Sequence, residues 1–156
     1  MFVPGDPRFD EILKLAGAAK GEGLKESDRP RWRTLVGLLL GELVDRGSHS
    51  NRRRVLRAPV ELEVDILAPE EIASLTTSSV SSGGLALRIE NVLPIGTHLD
   101  LSIKIEDRKM PLFVRAQVVY SKFGETGATF VDLFPAHREL LEATVVTAIL
   151  AESALQ

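Results

Sequence analysis

Between Val60 and Val131 apolar residues recur at every second position over several short stretches, and this period restricts the fold more than any other feature of the chain. It is clearest where Leu99, Leu101, Ile103 and Ile105 alternate with Asp100, Ser102, Lys104 and Glu106, and it appears again where Val60, Leu62, Val64 and Ile66 alternate with Glu61, Glu63 and Asp65. Such a strand buries one face and wets the other. Leu85, Leu87 and Ile89 repeat the pattern. Asp107-Arg108-Lys109 predicts a hairpin turn into a strand over Leu112 to Tyr120, and Gly124 to Gly127 a second turn into Ala128 to Val131. Leu75 to Val80, rich in Thr and Ser, carries a weaker strand signal. Strands joined by turns rather than by helices predict a mainly β chain and a closed or nearly closed antiparallel barrel, not an α/β sheet.

The flanks read differently, and the chain divides near residue 50. Asp6-Pro7 suits an N-cap followed by proline at the first helical position, and Phe9, Ile12, Leu13 and Ala16 then recur at helical spacing. This first helix is expected to end among Gly17, Gly21 and Gly23. A second begins around Ser27 to Pro30 and lays Trp32, Leu35, Val36, Leu39, Leu40 and Leu43 in one stripe that stops before Gly47. Residues 1–48 thus form a helical extension whose stripes need cover, in cis or from a second subunit, and residues 49–156 the barrel domain. After the last strand Pro135 opens a helix whose middle is apolar almost all round, which predicts cover on more than one side.

Composition narrows the function. At 156 residues and 44% hydrophobic content the chain can bury a sizeable core without staples. With no cysteine it has neither a disulfide framework nor a thiolate site. Its net charge of −3 argues against general binding to nucleic acid, and no apolar run reaches the length of a membrane span, so a cytoplasmic protein is expected. His49, His98 and His137 sit in different elements without acidic partners at ligand spacing, so no metal site is expected. Glu70 and Glu71 follow Pro69 in a loop and read as solvated, and Trp32 as a packing anchor. No activated nucleophile or phosphate-binding glycine loop is present, so no enzymatic activity is expected.

Basic charge is concentrated in Asn51-Arg52-Arg53-Arg54-Val55-Leu56-Arg57, just before the first strand, and a second unusual segment, Ser79-Val80-Ser81-Ser82-Gly83-Gly84, precedes a later one. Taken singly, the first reads as a solvated basic turn and the second as a polar loop. Taken together they supply forked guanidinium donors, hydroxyls and open backbone, the chemistry that a phosphorylated, guanine-bearing ligand requires.

In this order, Arg53-x-x-x-Arg57, Ser79-x-Ser81-x-x-Gly84, Val118-Val119-Tyr120 and Gly127-Ala128-Thr129-Phe130 resemble a PilZ domain, the bacterial receptor module for cyclic diguanylate. The resemblance covers roughly residues 51 to 150. It implies a six-stranded antiparallel PilZ-type barrel, which favours counting the weak strand, with a C-terminal helix; here a pair of N-terminal helices precedes it. It implies that Arg53 and Arg57 grip the phosphates and the Hoogsteen edge of guanine, that Ser81 bonds the ligand, and that Gly84 lets backbone approach it. Ser79 departs from the family, which normally has Asp or Asn there; a hydroxyl offers one atom where those offer two.

Two functions from different classes follow. One is a cyclic diguanylate effector that re-aims its helices and alters a surface offered to a protein partner in motility or envelope regulation. The other is a PilZ-like adaptor with weak or no ligand binding. Homo-oligomerisation through the N-terminal helices is compatible with both.

Overall fold

Asp6 caps the first helix as its place before Pro7 predicts: its carboxylate accepts the Arg8 backbone N–H at 2.8 Å, and Pro7 opens α1, Pro7–Lys20. In this computed structural model, which describes residues 2–45, 55–106 and 108–154, a short 3-10 turn over Glu26–Asp28 leads into α2, Arg29–Asp45. Gly21 closes α1, and Gly17, one of the expected stops, lies inside the helix.

Seven strands follow: β1 (Arg57–Ala58), β2 (Glu63–Ala68), β3 (Ile72–Ser81), β4 (Gly84–Arg88), β5 (His98–Ile103), β6 (Leu112–Lys122) and β7 (Glu125–Val131). All pairings are antiparallel, and the order β3-β2-β5-β6-β7-β4 closes on itself through a β3–β4 pairing. The result is the six-stranded barrel, with the two-residue β1 added beside β2 on the same edge of β3. The weak strand signal belongs to one of the longest strands, since Ile72–Ser81 must pair with three neighbours. Gly127 does not belong to a turn. The chain reverses at Phe123-Gly124, and Gly127 lies within β7 opposite Tyr120. Of the expected turn after β5, Asp107 lies outside the described residues.

Pro59 separates β1 from β2, as a residue without a backbone N–H can. Thr77 stitches the break: its hydroxyl donates to Val60 O at 2.6 Å and accepts from Leu62 N at 2.8 Å. Along β2, β4 and β5 the period-two residues Leu62, Val64, Ile66, Leu85, Leu87, Leu99, Leu101 and Ile103 are buried, as the alternation requires.

The last helix, α3 (Pro135–Ala154), packs against α1 on one side and against β1 and β3 on another, which accounts for its nearly all-round apolar middle. Phe9, Ile12, Ala16 and Trp32 join Leu141, Val145 and the barrel interior in one continuous buried cluster. The helices of the extension therefore pack in cis. Trp32, 1% exposed, also donates its indole N–H to Glu142 Oε1 at 3.2 Å, and Arg29 pairs with Glu139 at 3.0 Å. Among the described residues no helix is long and apolar enough to cross a membrane.

Candidate functional site

Ser82 and Gly83 join β3 to β4, and the side chain of Ser81 shapes this turn. Its Oγ accepts the N–H groups of Gly83 and Gly84, both at 3.1 Å, and lies 3.3 Å from Gly84 O. Gly83 O in turn accepts Phe130 N at 2.9 Å, which ties the turn to β7. Ser81 is 1% exposed. Its hydroxyl is already committed to the turn, so it serves the site by fixing backbone.

Gly84 is required for the same reason. A Cβ there would overlap the carbonyl oxygen of Ala128 and stand 3.2 Å from Thr129 Cα, so the missing side chain first admits the β7 backbone. Ser79 is half-buried and makes no side-chain hydrogen bond among the described residues. The β3–β4 register slips between Thr77 and Ser79, which turns Ser78 toward β7, where its hydroxyl donates to Glu125 Oε1 at 2.9 Å.

Arg57, the last residue of the first segment, is brought to this turn by backbone pairing. In the β1–β3 pair Arg57 lies opposite Ser81 and Ala58 opposite Val80. Arg57 thus starts from the edge of the turn, on a strand whose next residue, Ala58, is buried in the core. Arg53 lies outside the described residues.

Tyr120, quoted in the sequence only as part of a resembling stretch, belongs to the same face. Its ring covers Gly127, where a Cβ would fall inside the ring, and Lys122 Nζ stands 5.6 Å from the ring centroid. Burial holds the phenol pKa above its ordinary value, the Glu125 carboxylate adds to the rise, and the Arg57 charge opposes it. The paired positions Ser79–Ala86, Ala86–Gly127 and Gly127–Tyr120 therefore form one row across four strands, with no more than a methyl group in its middle. The signal for this row in the sequence is the coincidence of small residues, Ala86 and Gly127, on strands that only the closed topology makes neighbours.

The arrangement is a row of small residues with a cation at one end and an aromatic ring and a carboxylate on its border. It is suited to a flat, charged ligand rather than to bond making. A groove of about 910 Å³ between α1, α3 and the β2 and β5 ends contains none of these residues.

A closed six-stranded barrel with an arginine-bearing entry strand paired to a Ser-x-x-Gly turn defines a class of small binding domain. A family model for the PilZ domain matches residues 51–146, and the chain belongs to that family. Among solved structures it is similar to the inhibitor of motility MotI/DgrA of Bacillus subtilis, with 20% identity and a TM-score of 0.57 over 65% of this chain and 53% of that one. It therefore spans about half the length of that protein. It is also similar to the PilZ domain of YcgR from Escherichia coli, solved with c-di-GMP, with 16% identity and a TM-score of 0.52 over 65% of this chain and 92% of that one. No curated protein matches the sequence significantly.

Proposed function

We propose that this chain is a cyclic diguanylate receptor that passes ligand capture to a protein partner, acting from the cytoplasm in motility or envelope regulation. The observation that carries the reading is the direct pairing of Arg57 with Ser81, which joins the arginine segment to the glycine turn. The guanidinium supplies a fork for phosphate or for guanine O6 and N7, and the turn supplies rigid backbone. The dinucleotide in the solved YcgR domain and the motility role in the name of MotI fit this reading. Because Ala58 and Leu56 flank Arg57 within the core, capture at Arg57 has a route to α3, which packs on β1.

Calorimetric titration with cyclic diguanylate tests it. Binding by the wild type, lost largely in Arg57→Ala or Arg53→Ala without loss of fold, is the expected result; affinity should also fall with added salt. Absence of binding by a folded protein at high ligand concentration would sink the proposal. The second reading, a ligand-independent adaptor, is favoured by Ser79 and Ser81: the first has one hydroxyl, and the second has already engaged its own.

A further inference from the structure

Glu125 stands on the border of the small-residue floor. It precedes Gly127 by two positions on β7 and so lies on the same, outer face of the strand, and across β4 its side chain meets Ser78. The Ser78 hydroxyl holds Oε1, while Oε2 has no hydrogen bond or ion pair among the described residues. Two residues along β7 the Tyr120 ring lies over Gly127, its partner across the β6–β7 ladder.

Guanine carries two adjacent donors, N1–H and the N2 amine, on its Watson–Crick edge, opposite the O6 and N7 acceptors that an arginine takes. A carboxylate is the group that accepts both donors at once. Ser79 cannot, having a single hydroxyl. Resting on the receptor reading above, we propose that Glu125, positioned by Ser78, is the carboxylate that reads guanine at this site, with Tyr120 as the adjoining wall. Repulsion from the ligand's phosphates does not forbid this arrangement. Ser78, which holds the carboxylate, and Ser81, opposite which Arg57 leaves its strand, are three residues apart, about 10 Å of backbone along β3. That leaves room for a phosphate at the Ser81 end of the row.

The test compares cyclic diguanylate with cyclic di-inosine monophosphate, which lacks only the N2 amines. The wild type should prefer the guanine ligand. Glu125→Ala should bind cyclic diguanylate about tenfold more weakly and lose the preference. Glu125→Gln keeps an acceptor for Ser78 and guards against a folding effect; its amide accepts with one oxygen and turns its own donors toward guanine, so it should lose the preference too. If the wild type binds and both variants keep its preference, Glu125 does not read the base and the receptor reading stands alone. If the folded wild type binds neither ligand, both proposals fall.

Discussion

Arg57 and Ser81 face each other across the two-residue pairing of β1 with β3, so this arginine and the glycine turn are held together by backbone hydrogen bonding. This has an energetic consequence. A site whose parts are already adjacent loses less conformational freedom on binding than one assembled from separate loops. It also separates two kinds of residue: those proposed to touch only the ligand, and those that hold the turn in place.

Ser81 and Gly84 belong to the second kind. Ser81→Ala leaves the N–H groups of Gly83 and Gly84 without their acceptor, a loss of about 1–3 kcal/mol in stability. Gly84→Ala forces a Cβ into the β7 backbone, a clash of about 1–3 kcal/mol or more. Both variants should lose ligand binding together with stability in urea titrations, whereas Arg57→Ala should lose binding alone. Unchanged urea midpoints for Ser81→Ala and Gly84→Ala would contradict the turn-holding role.

Much of this fold was legible in the period-two residues, because Leu62, Val64, Leu99 and Ile103 have one interior to face whichever strands they pair with. The extent of β3 was not, since Ser74, Thr76, Ser78 and Ser79 carry no apolar alternation and belong to a strand held by β2 and β1 on one edge and β4 on the other. Gly127 was read as a turn because glycine marks turns locally, yet its reason is the Tyr120 ring across the ladder. Arg57, Ser79, Ser81 and Gly84 were recognisable as a group from motif spacing. Glu125 and Tyr120 were not, because they come from β7 and β6, strands whose adjacency to the others depends on barrel closure.

Helices α1 and α2 lie against α3, and removing residues 1–48 should expose it. Phe9, Ile12, Ala16 and Trp32 are buried in the same cluster as Leu141 and Val145. Residues 49–156 are expected to keep the barrel, whose ladder involves no residue of α1 or α2, but to associate or lose solubility through the bared helix face. Mass in solution and circular dichroism of the truncated protein check this. In the full chain, Trp32 to Leu39 should show slow amide exchange; fast exchange there would contradict the packed extension.

Glu142 gives a pH dependence. Burial raises its carboxyl pKa above the ordinary value of 4.5; the Trp32 hydrogen bond and the charges of Arg138 and Arg33 oppose the rise, and Glu139 adds to it. A raised folded pKa means that folding favours the protonated form. Its contribution is most favourable below the unfolded value and is lost as pH rises through the folded one. Glu142→Gln keeps an acceptor for the indole N–H and carries no charge, so its Tm should exceed that of the wild type at pH 7. The gap should close as pH falls below about 4.5. A gap independent of pH would show that packing, not ionisation, separates the two proteins.

Ser79 offers a gain of function. Its side chain makes no hydrogen bond among the described residues and sits beside Ala86 on the low floor, so an amide can be accommodated there without breaking an existing contact. Ser79→Asn adds a donor and an acceptor where one hydroxyl stood and should tighten cyclic diguanylate binding by about 1 kcal/mol, roughly fivefold, with little change in stability. In an Arg57→Ala background the same substitution should do nothing, because the phosphate end no longer holds the ligand. With Glu125 replaced by alanine the gain should be larger, since the new amide would then supply a base contact that is otherwise missing. Calorimetry on the three pairs distinguishes these cases. An unchanged or weaker affinity for Ser79→Asn in the intact site would mean that Ser79 is not the limiting contact.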